Sequence, residues 1–119
     1  IHDADNTYTW TNASATKVAT LNSGSFAGYT DWRVPNQFEL YSLVNLGAMN
    51  PATYSAFNTG CVAACTVLTC SCTRSVGHWS SSTFQDGPSS AWYVLFGAGN
   101  TSITPKTTTY RVRAVRAGS

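Results

Sequence analysis

The densest group of reactive side chains in the sequence is a set of four cysteines that lie within twelve consecutive residues. The last two are separated by a single residue, which makes a bridge between them unfavourable. Two pairings therefore remain open, 61–70 with 65–72 and 61–72 with 65–70. A four-thiolate zinc site is the alternative, but Cys-x-Cys fits the usual spacing of zinc ligands poorly. We expect disulfides that involve Cys61, Cys65, Cys70 and Cys72.

Catalysis by a serine nucleophile would need a base held beside it by an orienting group. The sequence has two histidines, His2 near the N-terminus and His78, and it contains no Gly-x-Ser-x-Gly turn. Three serines follow His78 at positions 80–82, but serine is abundant throughout the chain. We predict that His78 is a structural or rim residue, and that the protein is not an enzyme.

Carboxylates are scarce, with five Asp and Glu residues in the whole chain. Asp31 lies two residues from Arg33, a spacing that predicts a buried or half-buried ion pair rather than a general acid. Asp3, Asp5 and Asn6 carry oxygens of the type that calcium prefers. Because the EF-hand pattern is not completed, a solvated turn is the favoured interpretation, and no metal or other cofactor is expected.

Composition points to one extracellular domain covering residues 1–119. Charged residues make up 10% of the chain and aromatic residues 13%, and the net charge is only +2. Without a stripe of Lys and Arg, nucleic-acid binding is not expected, and no apolar run is long enough for membrane insertion. Because the chain begins with Ile1, we expect a processed or partial product of an exported protein.

The clearest local element is a helix predicted over Asn36–Leu46. Pro35 keeps the preceding residue out of helical dihedrals, and Asn36 can cap the first turn with Glu39 bonding back to it. An apolar stripe is predicted from helical spacing, and Gly47 offers a left-handed stop. The predicted stripe consists of Phe38, Tyr41, Leu43 and Val44.

The remaining pattern predicts an α+β protein. A short helix runs from Thr9 or Thr11 to Leu21, with Trp10, Ala13, Val18 and Leu21 available for its buried face. Later segments read as antiparallel strands separated by turn-rich stretches at 85–90 and Gly97–Thr109. These predicted strands are Gly77–Thr83, Ala91–Phe96 and Tyr110–Val115.

Alternation along the middle strand predicts where a ligand could bind. It places Trp92, Val94 and Phe96 on one face, which we assign to the core, and Tyr93 and Leu95 on the other. An outward tyrosine offers contact area and a hydroxyl at low entropic cost. An ordinary surface with a few exposed apolar side chains is the alternative. The residues expected to border the binding surface are Thr83, Phe84, Gln85, Asp86, Ser89 and Ser90.

Several motifs carry a family resemblance. The stretch Gly28–Leu40 reads Gly-Tyr-Thr-Asp-Trp-Arg-Val-Pro-Asn-x-x-Glu-Leu. Two further motifs follow it, His-Trp-Ser-Ser-Ser-Thr at 78–83 and Ala-Trp-Tyr-Val-x-Phe-x-x-Gly at 91–99. Lys106 and the motif Val-Arg-Ala-Val-Arg at 112–116 come last. Together they resemble the domain family at the C-terminus of the Legionella collagen-like adhesin. The resemblance spans most of the chain from Tyr8 onward.

This resemblance implies a C-type-lectin-like fold, related to formylglycine-generating enzymes, with two short helices packed on a small, mostly antiparallel sheet. It implies bacterial export, and an opening strand that either lies upstream of Ile1 or is replaced by pairing with another chain. The adhesin's domain is described as a trimer that binds sulfated glycosaminoglycans, which makes Lys106 and Arg111 candidate ligand contacts. Neither the calcium motif of the lectins nor the cysteine pair of the enzymes is matched. The residues given structural roles are Asp31, Trp32, Arg33, Asn36, Glu39, Trp79, Trp92, Arg113 and Arg116.

The leading hypothesis is a secreted or cell-surface recognition and adhesion module that binds a glycan or protein ligand without transforming it. The alternative is a structural subunit of a surface oligomer or filament. That alternative rests on the absent opening strand and on the low-charge, Ser- and Thr-rich composition. An enzyme of the formylglycine-generating type is disfavoured, because the required residues are missing.

Overall fold

The computed structural model describes residues 6–49, 51–58, 73 and 75–116. Helices come first and strands later, so the predicted α+β class is confirmed. A long helix occupies residues 10–23, a short capped helix spans Gln37–Tyr41, and 3₁₀ turns lie at Phe26–Gly28 and Ser55–Phe57. The strands are β1 (Trp32–Arg33), β2 (Gly77–Thr83), β3 (Ser90–Leu95), β4 (Asn100–Pro105) and β5 (Val115–Arg116).

The long helix consists of three consecutive segments, Trp10–Asn12, a π-helical Ala13–Val18 and Ala19–Ser23. Thr9 begins it by accepting a hydrogen bond from the backbone N–H of Asn12. Of the predicted buried face, Ala13, Val18 and Leu21 are buried, and Trp10 packs half-buried against the core. The π turn also buries Lys17, and this burial lowers the pKa of its amine.

The capped helix begins as predicted but is shorter. Asn36 and Glu39 form the complete capping box. The helix ends at Tyr41, because Val44 leaves it to form an antiparallel bridge with Thr53. The predicted apolar stripe is wrong in part: Phe38 is 82% exposed and Tyr41 is exposed, while Leu40 is fully buried. A helix of little more than one turn presents only one such position to the core.

A three-stranded antiparallel sheet in the order β2–β3–β4 forms the centre of the molecule. β2 has the predicted bounds, and an irregularity in its register lies between Trp79 and Thr83. β4 falls in the stretch predicted to be turns, and that prediction is wrong. Its sequence, Asn-Thr-Ser-Ile-Thr-Pro, has a single large apolar residue and gives no alternating pattern to detect.

The closing segment differs from the single strand predicted over Tyr110–Val115. Tyr110 pairs antiparallel with Tyr8, and Arg111 lies parallel to His78 along the free edge of β2. β5 begins only at Val115 and pairs antiparallel with β1, Trp32 opposite Arg116. Through these pairings, the end of the described chain connects β2 to the residue Tyr8, just before the long helix, and to β1, just before the capped helix.

Two hydrophobic cores lie on opposite faces of the sheet, because successive strand residues point to opposite sides. The first core packs under the long helix, and the second packs under the capped helix. The buried residues of the first core are Ala13, Val18, Val34, Trp79 and Ala91. Those of the second core are Leu40, Val44, Val94 and Phe96. No helix in the described ranges is long and apolar enough to cross a bilayer.

Candidate functional site

A tight turn between β2 and β3 builds one wall of a surface groove. The backbone N–H of Phe84 donates to the carbonyl of Ser90 (3.0 Å), and Ser90 donates back to the carbonyl of Gly87 (2.8 Å). Gly87 packs closely on Phe84, since a β-carbon at this position would lie 3.3 Å from the Phe84 ring. The hairpin end therefore places the Phe84 ring beside the turn.

The opposite wall comes from the capped helix. The backbone N–H of Gln37, the first residue of that helix, donates to the hydroxyl of Ser82 (3.0 Å). Between the walls, the ring of Phe84 meets Trp92 of β3 edge-on, with centroids 5.8 Å apart. We call this hollow the Phe84 groove. It has a volume of about 360 Å³ and is lined by Gln37, Ser82, Thr83, Phe84, Gln85, Asp86 and Trp92.

The four tryptophans of the chain differ in how their indole N–H groups are satisfied. Trp10 donates to the carbonyl of Ser80 (3.0 Å), Trp32 to that of Phe26 (3.0 Å) and Trp79 to that of Tyr8 (2.8 Å). Trp92, the one in the groove, has no acceptor for its indole N–H among the described residues. Buried tryptophans usually find such a partner within the protein, whereas the indole N–H of the half-buried Trp92 is left available to water or a ligand. The groove therefore contains an unused hydrogen-bond donor.

Other polar groups in the groove are also uncommitted. The side-chain amides of Gln37 and Gln85 and the carboxylate of Asp86 make no hydrogen bond within the described part of the chain. The Thr83 hydroxyl, in contrast, accepts a hydrogen bond from Lys106 Nζ (3.1 Å). Amides offer both donors and acceptors, and a carboxylate offers acceptors only. The groove thus combines two aromatic rings with a mixed set of open polar positions.

A family model, the Lcl C-terminal domain, matches residues 2–116 of the chain. The chain belongs to the Lcl C-terminal domain family. This agrees with the resemblance to the adhesin domain that the sequence motifs indicate. Comparison with curated protein sequences gives no significant match.

In this Lcl C-terminal domain, the predicted ligand residues divide into two groups. Thr83–Asp86 line the groove, and Ser89 and Ser90 lie in the turn behind it. The outward assignment of Tyr93 is wrong: its ring stacks on Tyr110 with centroids 4.7 Å apart and packs against the first core. Leu95 is half-buried between the backbones of Gly77 and Asn100.

The two basic ligand candidates of the domain lie outside the groove lining. Lys106 sits over the ring of Trp10, its Nζ 3.9 Å from the ring centroid, while donating to Thr83. Arg111 contributes its backbone to the sheet edge, where its carbonyl accepts from the N–H of Trp79 (2.9 Å). Lys106 is thus next to the groove but already engaged.

The assignment of Trp92 to the core is also wrong. It shares the sheet face of Val94 and Phe96, yet it is only half-buried and lies beyond the second core, where the capped helix no longer covers the sheet. Strand alternation determines the face of a residue but not how far along that face the cover extends. Trp92 is therefore a groove residue.

The predicted Asp31–Arg33 ion pair is replaced by two different pairs, both largely exposed. Arg33 binds both carboxylate oxygens of Glu39, and this pairing lowers the pKa of Glu39 to about 2. Asp31 instead accepts a hydrogen bond from Arg116 Nε at 3.1 Å, and the Arg116 guanidinium also stacks on Tyr29. The capping box explains the exchange, because it brings Glu39 back over the start of its helix.

Arg113 is half-buried within the C-terminal half of the domain. It donates to the hydroxyl of Thr73 (3.0 Å) and lies over the ring of Phe57. Burial lowers the pKa of its guanidinium. These contacts anchor the 3₁₀ turn Ser55–Phe57 to the closing segment.

His78 is enclosed by the second core rather than by a polar site. Its ring meets Phe96 edge-on (5.0 Å), and its Nδ1 lies 3.0 Å from the carbonyl of Val76, so Nδ1 carries the proton. Burial lowers its pKa to about 4. The nearby Ser80 hydroxyl donates to the carbonyl of Trp92 (2.7 Å) and not to the imidazole.

In the described ranges, no three His, Cys, Asp or Glu side chains come together in a group that could bind a metal ion. The predicted turn at Asp3 and Asp5 lies outside the described residues, as do the four cysteines and the disulfides expected of them.

Sequence reasoning missed two groove residues, Gln37 and Ser82. Ser82 belongs to the motif at 78–83, and Gln37 occupies an unspecified position of the motif at 28–40, so the sequence predicts them only as strand and helix positions. A usable signal was present: Ser82 is at the end of a strand next to a turn, where a polar side chain is seldom needed for the core. Their contact across the groove could not be deduced from separation along the chain.

Proposed function

We propose that this domain is an extracellular, non-enzymatic recognition module that binds a glycan or protein ligand in the Phe84 groove. The observation that carries the proposal is the uncommitted indole N–H of Trp92 among further open polar groups. Ligand sites combine apolar walls with a few polar groups that fix orientation. A volume of about 360 Å³ lies within the range of about 300–1,000 Å³ typical of such sites.

A role in binding rather than catalysis is supported by the state of the groups that would have to react. His78 is neutral and enclosed, since burial lowers its pKa to about 4, and the Ser80 hydroxyl is bonded to a backbone carbonyl. Neither can therefore serve as the base or nucleophile of a serine site without a rearrangement.

Membership of the Lcl C-terminal domain family supports placement at the bacterial surface or in the medium, as the adhesin resemblance implies. The low charge and abundant hydroxyl side chains fit the same environment. We expect no nucleic-acid partner and no membrane insertion. Expression with its native upstream sequence, followed by protease accessibility on intact cells, would test this placement.

The ligand hypothesis can be tested with a matched pair of double variants. One carries Gln85→Ala and Asp86→Asn in the groove, and the other carries Asn100→Ala and Asp31→Asn, which remove the same groups elsewhere on the exposed surface. Both would be applied with the wild type to a glycan array and to pull-downs from surface and matrix extracts. We expect the groove variant alone to lose binding. If every interaction survives in the groove variant, the proposal is wrong.

A second candidate is a structural subunit of a surface oligomer or filament. The observation that favours it is β4, which pairs with β3 on one side and with no other described strand, and which contains no charged residue. Uncharged edge strands are prone to pair with another chain. Light scattering coupled to size exclusion would test it, with Thr101→Lys on β4 expected to dissociate an assembly. A strictly monomeric wild type would count against this candidate.

A further inference from the structure

The charge distribution around the Phe84 groove indicates what kind of ligand it would accept. Among the described residues of the lining, Asp86 is the one that carries a charge. The cation that contacts the lining, Lys106, already donates to Thr83 and lies over the ring of Trp10, while Arg33 and Arg116 are paired with Glu39 and Asp31. A sulfate or carboxylate group in the groove would therefore meet the Asp86 carboxylate, and none of these three cations is uncommitted.

The polar groups suit a ligand whose atoms both donate and accept. A sugar hydroxyl gives one hydrogen bond and accepts others, as serine and threonine do. Gln37 and Gln85 offer both functions, Asp86 accepts, and the Trp92 indole donates. Neighbouring hydroxyls on a ring could therefore satisfy all four groups at once, whereas an apolar ligand would leave them buried and unpaired.

The aromatic pair supplies the remaining contact. Phe84 and Trp92 meet edge-to-face at 5.8 Å, and Phe84 lies against Gly87, so the two rings form a corner. The C–H face of a pyranose is apolar and packs against an aromatic ring at low cost in conformational entropy. Amphipathic ligands of this kind match a site that is apolar on one side and polar on the other.

We propose that the Phe84 groove binds an uncharged saccharide, with a sugar ring packed in the corner of Phe84 and Trp92 and its hydroxyls bonded to Gln37, Gln85 and Asp86. This inference rests on the proposed recognition function and narrows it. It differs from the sulfated ligand implied by the adhesin resemblance, which would require a basic surface.

The test is a comparison of neutral oligosaccharides with heparin and chondroitin sulfate, using an array and titration calorimetry on the wild type and three variants. Asp86→Asn removes the groove charge, Asp31→Asn makes the same change in net charge elsewhere, and Trp92→Phe keeps an aromatic ring without the N–H. For a neutral saccharide we expect Asp86→Asn to weaken binding about tenfold or more, since hydrogen bonds to charged groups are the stronger ones. Trp92→Phe should weaken it several-fold, and Asp31→Asn should leave it unchanged.

The alternative outcomes separate the two proposals. Binding of sulfated glycans that Asp86→Asn strengthens, or groove-dependent capture of a protein, would overturn the saccharide inference and leave the recognition function standing. Binding that none of the groove variants alters would overturn both. Failure of the folded protein to bind any neutral glycan at millimolar concentration, measured by saturation-transfer NMR, would also overturn the inference. Circular dichroism of each variant shows that the fold is retained.

Discussion

The two faces of the central sheet are covered to different extents. On the first face, the long helix and the aromatic rings of Trp10 and Tyr110 enclose a fully buried Trp79. On the second, the capped helix covers Val94 and Phe96 but leaves Trp92 half-exposed beside the groove. Each face carries a tryptophan of the three-stranded sheet, but only Trp79 has its indole N–H bonded to another of the described residues.

The difference follows from element length. The capped helix has five residues, about 7–8 Å of axis, whereas the six residues of β3 extend about 20 Å. A helix of that size cannot cover the whole strand, and the hairpin end remains open to solvent. The groove therefore lies where the short helix leaves the sheet uncovered, and the turn between β2 and β3 forms its other wall.

The largest effect is expected from truncating the tryptophan on the closed face. Trp79→Ala removes a fully buried ring that packs on Tyr110, and it removes one of the two hydrogen bonds that the carbonyl of Tyr8 accepts, the other coming from the N–H of Tyr110. We expect a loss of about 3–5 kcal/mol in the free energy of unfolding. Trp92→Ala should cost less than half as much, because its ring is already partly in water. Denaturant unfolding followed by circular dichroism measures both, and equal losses would contradict the difference between the faces.

The second largest effect is a dependence of the free energy of unfolding on pH. It arises from His78, which is buried beside Phe96 of the second core. The pKa of His78 is about 4 in the folded state, below its unfolded value of 6.5. The unfolded state therefore takes up a proton first, and stability that is fully present above pH 6.5 is lost as the pH falls towards 4. The total is about 3 kcal/mol at 1.36 kcal/mol per unit.

His78→Gln should flatten the dependence of the unfolding free energy on pH between pH 6.5 and 4, relative to the wild type. Urea unfolding curves recorded at pH steps of half a unit would measure how the free energy of unfolding depends on pH. A slope that persists in His78→Gln would show that another group carries the titration.

Local features of the second face could be predicted from the sequence. The capping box depends on residues three positions apart, and Pro35, Asn36 and Glu39 specify it without help from the rest of the chain. β2 likewise has the bounds that its composition predicts. Where the contact that determines a local structure lies between residues close in sequence, the residue types alone are sufficient to predict that structure.

The errors in the sheet and the groove involve contacts between distant segments. Alternation predicts an outward Tyr93 because it separates the two faces of a strand, but residues of both faces pack in hydrophobic cores. β4 has no apolar pattern and is held by pairing with β3. The groove itself requires Gln37 and Ser82 to meet across 45 residues of chain. Only the folded arrangement shows which end of Trp92's face is left open.

A smaller effect is expected from crowding the closed face. A β-carbon at Gly77 would lie 2.7 Å from two carbons of the Tyr110 ring. That ring is held between Trp79 and Tyr93 and has little room to move. Gly77→Ala should therefore destabilise the protein by about 1–3 kcal/mol, as overpacking does.

Gly24→Ala provides the matched control, because its nearest contact of 3.4 Å is an ordinary one. We expect it to change the free energy of unfolding by less than about 0.5 kcal/mol. If Gly77→Ala is equally mild, the first face is looser than its burial indicates. Thermal and denaturant unfolding of the two variants side by side would decide.

The smallest stability effect, and the one that links it to binding, concerns the cap of the short helix. Asn36 Oδ1 accepts a hydrogen bond from the backbone N–H of Glu39 (2.8 Å), so Asn36→Ala should reduce the free energy of unfolding by about 1 kcal/mol.

Glu39→Gln should reduce it less, since glutamine can still complete the capping box and only an exposed ion pair with Arg33, worth about 0.2–1 kcal/mol, is lost. The pKa of Glu39 is lowered to about 2, so the contribution of this ion pair is present above the unfolded pKa of Glu39 and disappears as the pH falls towards 2.

The cap of the short helix should also affect binding. Because Gln37 follows Asn36 and bonds to Ser82, loosening the cap should widen the groove. Asn36→Ala should therefore weaken ligand binding more than Gly24→Ala does, although neither residue lines the groove. Calorimetry on both variants measures the difference, and equal affinities would mean that the hairpin alone determines the shape of the site.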